Sequence, residues 1–309
     1  MDIPKIDSRS IQKPSAESPR WQVAARSEQG PRDYQQDAFL WQEIQGFEDR
    51  PRLCCVLADG MGGVAGGRLA SRTAAQAILE HLIPSLLSGT EGQWRDPAYQ
   101  ERTIQAAFDR AGAVLRRLAD AATEFEEMGS TVSVTVHLGD QVIVGWAGDS
   151  RVYALGRGLE LLTRDHSVAW ELVESGSVSP SELRHVGTRS MLTRYLGPDC
   201  SNAEIIRWRS RGDRVYLLST DGFWELFDVE ELEHQLRPNR PDELADPEAL
   251  ADRLVEEWGR RGPADNATFI LVSTRTKVRE RTGRYPCLRR LPAFVPTVEE
   301  EVHDAGQNV

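Results

Sequence analysis

Four times along this 309-residue chain an aspartate stands at the end of a strand-like run or just ahead of one. Leu53, Cys54, Cys55, Val56, Leu57 and Ala58 form an unbroken apolar run that stops at Asp59-Gly60. Such a run reads as a strand buried on both faces. Asp149 follows the apolar residues 142–146, Asp221 follows 215–220, and Asp265 with Asn266 precedes a run over 267–272. A single Asp-Gly is a common turn dipeptide, so no one of these carries weight alone. Recurrence does carry weight. Aspartates gathered at one end of a sheet repel one another unless neutralised, and the sequence sets no matching group of Lys or Arg beside them. Bound cations are the simplest neutralisers, and hard carboxylate oxygens select magnesium or manganese.

The remaining pattern says what kind of sheet this is. Val132, Val134, Val136 and Leu138 alternate with Ser133, Thr135 and His137, the period of a half-buried strand. Gly139-Asp140 turns it into the next strand over 142–146, and a further turn leads to Val152, Tyr153, Ala154 and Leu155. Meanders of this kind build antiparallel sheets. Helical spacing recurs after Gly67 (Ala70, Ala74, Ala77, Ile78, Leu82), again at Ile104, Ala107, Phe108, Ala111, Val114, Leu115 and Leu118, and near the end at Leu250, Leu254, Val255 and Trp258. Each helix has one apolar face to bury, and two packed sheets with helices outside provide for all of them. The expected fold is therefore α+β, a four-layer α/β/β/α sandwich of two antiparallel sheets.

Composition bounds the function. Hydrophobic content of 40% supplies a core, while a net charge of -11 opposes the counterion release that nucleic acids and anionic membranes reward. No stretch is apolar enough to span a bilayer and none near Met1 resembles a signal peptide, so a cytoplasmic protein without nucleic-acid or membrane partners is expected. Residues 1–20 lack hydrophobic period and read as a flexible leader, residues 21–274 as one domain, and residues 275–309 as a charged tail. In the tail a cluster of arginines is followed by Glu299, Glu300, Glu301 and Asp304. Cys54, Cys55, Cys200 and Cys287 show no metal or disulfide spacing.

Taken in order, these residues resemble the metal-dependent protein phosphatases of the PPM type, also called type 2C serine/threonine phosphatases, and their bacterial branch in particular. The resemblance covers residues 21–273. It rests on Arg32, the run Asp33-Tyr34-Gln35-Gln36-Asp37, residues 59–63, Gly129-Ser130-Thr131, residues 148–151, residues 162–167, Asp221-Gly222 and Asp265-Asn266. The family implies a dinuclear site between the sheets. In it Asp59 bridges two ions, Gly60 offers its carbonyl, Asp221 and Asp265 bind the first ion, and Asp37 accepts from metal-bound water. Asp149 shares a weaker third ion with Asp221. Arg32 matches the phosphate-binding arginine, whose planar fork pairs two oxygens. With ions about 3.5 to 4 Å apart, a shared water loses a proton near neutral pH and attacks phosphorus in line.

The expected activity is hydrolysis of phosphoserine and phosphothreonine in proteins, opposing a bacterial kinase, by a monomer. A cysteine nucleophile is ruled out, because Gly60, Met61, Ile206 and Ala293 stand where an Arg six residues beyond each Cys is needed. Two departures from the family stand out. Met61 replaces a histidine that animal members use as general acid, which leaves His166 in Arg-Asp-His-Ser as the nearest candidate by motif. Gln35 and Gln36 replace Asn and Glu, which removes one carboxylate near the second ion. Residues 167–200 correspond to a flap beside the site. A weakly active or inactive module that binds phosphoproteins is the alternative, and another two-metal hydrolase such as a nuclease is the third reading, disfavoured by the acidic balance.

Overall fold

The structure is a computed structural model that describes residues 20–47, 50–179, 191–209, 214–237 and 246–275. The expected leader up to residue 19 and the tail beyond residue 275 lie outside the described residues. The chain divides into a unit of residues Met1–Thr276 and a second of Lys277–Val309, and every described residue belongs to the first.

Its elements in chain order are β1 (Arg20–Glu28), β2 (Asp37–Gln45), β3 (Pro51–Met61), α1 (Val64–Ser88), α2 (Glu91–Arg95), α3 (Pro97–Ala121), β4 (Gly129–Leu138), β5 (Gln141–Ala147), β6 (Arg151–Leu155), β7 (Leu159–Leu161), α4 (Val168–Glu174), β8 (Glu204–Arg209), β9 (Arg214–Ser219), α5 (Asp221–Trp224), α6 (Val229–Leu236), α7 (Pro247–Arg260) and β10 (Ala267–Arg275). They form two five-stranded sheets, ordered β1-β10-β9-β6-β7 and β2-β3-β4-β5-β8. Every strand pairing in both is antiparallel.

Three apolar layers hold these pieces. On the outside of the second sheet, Cys54, Val56 and Ala58 of β3 and Val132, Val134 and Val136 of β4 pack against Ala70, Ala74, Ile78 and Leu82 of α1 and Ile104, Phe108 and Leu115 of α3. Between the sheets lie Leu53, Cys55 and Leu57 with Val142, Val144, Trp146, Tyr216, Leu218, Ile270 and Val272. The outer face of the first sheet packs Leu217, Phe269 and Leu271 against Phe223, Leu232, Leu236, Leu250, Leu254 and Trp258. β3 therefore sends alternate residues into two different layers, and this is why its sequence shows no polar alternation.

Two details differ from the sequence reading. β4 was expected to be half-buried, yet residues 129–137 are all buried. Its polar residues face the inter-sheet layer rather than water, and that is tolerated because they find partners there: Ser133 Oγ donates to Ser150 O at 3.0 Å and Thr135 Oγ1 lies 3.1 Å from His137 Nε2. The first long helix starts at Val64 rather than after Gly67. Gly67 then lies inside its first turns, where a Cβ would come within 2.2 Å of Gln36 Nε2.

Candidate active site

The antiparallel registers bring the aspartates to one end of the sandwich. Asp37 opens β2 directly opposite Asp59 on β3, and Asp59 in turn stands opposite Thr131 of β4. Asp149 lies in the short loop by which the chain leaves β5 in one sheet for β6 in the other. Asp221 begins α5 just past β9, and Asp265 precedes β10, the neighbour of β9 in its sheet. Gly222 fixes how near these last two stand: a Cβ there would lie 1.9 Å from Asn266 O and 3.1 Å from Asp265 Cβ.

The carboxylates are close enough to distort one another's ionisation. Asp37 is 6% exposed, and Thr220 Oγ1 donates to its Oδ2 at 3.0 Å. Burial first, and the Asp221 carboxylate second, push its pKa up from 3.8 to about 7, against hydrogen bonds from Thr268, Thr220 and Asp59. Asp59 is raised by burial and then by Asp37, Asp221 and Asp149. Asp149 is raised by burial and then by Asp221 and Asp165, with Arg151 opposing. Four acidic side chains from both sheets thus act on one another's ionisation.

One arginine of the expected site, Arg32, reaches Asp265. Arg32 Nη2 donates to Asp265 Oδ2 at 2.5 Å and Arg32 Nε to Ala264 O at 3.3 Å, with the Arg32 side chain 50% exposed. Arg151, by contrast, is committed elsewhere: its Nε and Nη2 donate to the two oxygens of Asp165 at 2.9 and 2.7 Å, and its guanidinium lies 3.4 Å over the Trp224 ring.

Residues legible in the sequence only as parts of motifs fix the backbone here. Ser130 Oγ donates to Asp59 O at 2.9 Å, and Thr131 Oγ1 accepts from Asp59 N–H at 3.2 Å while lying 2.7 Å from Ser150 Oγ. Asn266 Oδ1 accepts from Gln36 N–H at 2.9 Å, and its Nδ2 donates to Gln29 O and Tyr34 O at 2.8 and 3.0 Å, tying down the loop that carries Arg32. The Gln36 carbonyl accepts from Gly60 N–H at 3.1 Å, and its Nε2 donates to Gly63 O at 2.7 Å. Gln35 Oε1 accepts from Asp37 N–H at 2.9 Å. The two glutamines that depart from the family pattern therefore act on the backbone around Asp37 and Gly60. Gly60 itself is required, since a Cβ would sit 1.9 Å from Gly67 O.

His166 is occupied at both ring nitrogens. Nδ1 accepts from Gly148 N–H at 3.1 Å and Nε2 lies 3.2 Å from Glu204 Oε2, while burial holds its pKa below the ordinary value against the pull of Glu204. Both nitrogens are thus engaged by Gly148 and Glu204 rather than by Asp37, Asp59, Asp149 or Asp221, and this geometry does not support a role as general acid. Of the flap residues, the structure describes 167–179 and 191–200. Ser130 pairs with Leu196 and Ser167 with Leu192, which anchors both ends of the segment near Asp59 and His166.

The donor set fits hard divalent cations. It offers carboxylates, a main-chain carbonyl approachable because Gly60 lacks a side chain, and strong mutual repulsion that a cation relieves. Among the described residues no three or more His, Cys, Asp or Glu side chains are gathered so as to hold a metal ion by themselves. Mg²⁺ keeps several waters and takes few carboxylates, so a closed cage is not what such an ion needs.

A four-layer sandwich with this acidic end has known counterparts. Residues 26–258 match the family described as Protein phosphatase 2C, and the chain belongs to that family. Among curated relatives, the serine/threonine protein phosphatase PstP of Mycobacterium tuberculosis is 31% identical over 218 residues, which is 70% of this chain and 39% of that protein. The chain thus matches well under half the length of PstP. Serine/threonine phosphatase stp of Listeria innocua is 26% identical over 233 residues, 73% of this chain and 86% of the relative. Among solved structures, that of M. tuberculosis PstP/Ppp superposes with a TM-score of 0.67 at 27% identity, covering 82% of this chain and 97% of the other. The PstP catalytic domain in complex with two manganese ions superposes at 0.66 with 25% identity, covering 84% and 100%.

Proposed function

We propose that this protein hydrolyses phosphoserine and phosphothreonine in other proteins, with Asp59, Asp221, Asp265 and the Gly60 carbonyl holding two divalent cations, manganese or magnesium. The observation that carries this reading is the convergence of Asp37, Asp59, Asp149 and Asp221 at one end of two sheets, the first three raised in pKa by burial and then, each of them, by the Asp221 carboxylate. Such crowding disfavours the apo carboxylates and favours cations. The PstP catalytic domain binds two manganese ions, which supports the same stoichiometry here. Bound cations supply an activated water and neutralise charge on the phosphoryl group.

The chain's own residues do the rest. Ser130 and Thr131 hold the Asp59 backbone from both sides, Thr220 orients the Asp37 carboxylate, and Asn266 fixes the loop bearing Arg32. Arg32 is exposed enough to exchange its hydrogen bond to Asp265 for phosphate oxygens, which its fork matches in pairs. Asp37, at the buried edge of the site, is placed to accept from water. Asp149 takes a weaker third cation with Asp221. The physiological partners are phosphoproteins and a serine/threonine kinase whose work this enzyme reverses. Monomeric, cytoplasmic operation belongs to the same proposal; no helix of the described residues is long and apolar enough to cross a membrane.

The test is direct. Purified protein with Mn²⁺ should release phosphate from a phosphothreonine peptide, stop on addition of chelator, and lose at least about 100-fold in kcat in Asp59→Asn and Asp221→Asn. Undiminished turnover in either variant refutes the metal assignment. Phosphopeptide binding by wild type without any turnover supports the binding-module alternative instead.

A further inference from the structure

Two motifs well separated in the chain, Gly148-Asp149-Ser150-Arg151 and Arg164-Asp165-His166-Ser167, are pressed together by the fold. Gly148 N–H donates to His166 Nδ1 at 3.1 Å, and the backbone N–H of His166 donates to Gly148 O at 3.0 Å, so one residue grips both peptides flanking Gly148. The next carbonyl is held as well, because Trp224 Nε1 donates to Asp149 O at 3.1 Å. Gly148 has φ 116°, and a Cβ there would meet Thr131 Cβ at 2.5 Å, so the loop lies hard against β4 and has room for glycine only.

The imidazole itself is locked. It stacks on Trp146 with an interplanar angle of 8° at 5.8 Å, and its side chain is 6% exposed. Accepting at Nδ1 requires the tautomer with the proton on Nε2, and that proton faces Glu204 Oε2 at 3.2 Å. Glu204 is held in turn by Arg164 at 3.1 Å. At the other end of the loop Asp165 takes both fork nitrogens of Arg151.

We infer that His166 is a positioning residue for Asp149, its ring and backbone together fixing the Gly148–Asp149 peptide so that the Asp149 carboxylate faces Asp221. The inference rests on the proposal that Asp149 takes a third, weaker cation. Orienting partners of metal residues typically change affinity by about 10–100-fold when removed.

The experiment measures Mn²⁺ binding by the paramagnetic resonance signal of free ion, together with melting temperature in chelator, for wild type, Asp149→Asn, His166→Phe and His166→Asn. His166→Phe keeps the ring, the stack and the volume but not the acceptor. His166→Asn presents an amide oxygen near the place of Nδ1. Asp149→Asn and His166→Phe should each weaken the weakest class of Mn²⁺ sites about tenfold, with the tighter class within about twofold of wild type, and His166→Asn should recover most of that loss. Weak-site affinity unchanged in His166→Phe while Asp149→Asn weakens it overturns the role of His166 alone. No change in Asp149→Asn removes the assignment of Asp149, and this inference with it. A His166→Phe protein too unstable to assay leaves His166→Asn decisive: wild-type binding supports the acceptor role, and a loss equal to that of Asp149→Asn overturns it.

Discussion

Replacing Asp37 by Asn should make the cation-free protein more stable and the enzyme worse. Asp37 is buried opposite Asp59, and its pKa is displaced from 3.8 to about 7. Between those values the folded protein holds a proton that the unfolded chain has released, so stability falls as pH rises through the window and the full penalty applies above pH 7. About three pH units at about 1.4 kcal/mol each make that penalty about 4 kcal/mol. Asparagine removes the charge yet keeps an oxygen for the Thr220 hydroxyl, while burying an amide returns part of the gain. A net stabilisation of about 2 kcal/mol remains, or roughly 4–8 °C for a domain of this size. Thermal unfolding in chelator at pH 8 measures it. The gain should vanish near pH 5.5, where the penalty on Asp37 has fallen by about half and the cost of the buried amide offsets it, and turn into a net loss near pH 4. With Mn²⁺ present the order should reverse, because the wild type alone has the full acidic site to gain from binding. An Asn variant no more stable than wild type in chelator at pH 8 would refute the picture of mutually destabilised carboxylates.

The same geometry sets other measurable outcomes. Gly222→Ala drives a methyl group into Asn266 O, which should cost about 1–3 kcal/mol in chemical denaturation and weaken Mn²⁺ binding. Gly259→Ala in α7, with nothing within 4 Å of the new methyl, should instead stabilise by up to about 1 kcal/mol. His137 is fully buried with Nδ1 unpartnered, and burial lowers its pKa from 6.5 to about 3. Unfolded chain therefore takes up a proton that folded protein refuses, and stability is lost as pH falls from 6.5 toward 3, by up to about 1.4 kcal/mol per pH unit. His137→Phe should flatten that acid limb in urea titrations run at a series of pH values. Arg32→Ala should raise KM for a phosphopeptide about tenfold or more by removing a charged hydrogen-bond donor, with Mn²⁺ affinity changed far less.

Much of the architecture could be read without coordinates because its signals are local. Period-two alternation, the unbroken run before Asp59 and the three helical stripes each report which side of an element must avoid water, and two sheets with outer helices is the arrangement that satisfies all of them. The aspartates were legible for a related reason: acidic residues at strand ends are visible one at a time, and their repulsion is a property of side chains rather than of any particular fold. Burial of the polar face of β4 was not legible, because Ser133, Thr135 and His137 look solvated until the second sheet covers them and Ser150 supplies a partner. The pairing of Asp37 with Asp59, the hold of Ser130 and Thr131 on the Asp59 backbone, and the grip of His166 on Gly148 were likewise decided by register and by the crossing of the chain between sheets. Those depend on contacts between distant segments, where a shift of one residue turns every side chain to the opposite face. Sequence thus determined which groups are available to bind cations, and tertiary structure decided which of them meet, how deeply they are buried, and which neutral neighbours hold them there.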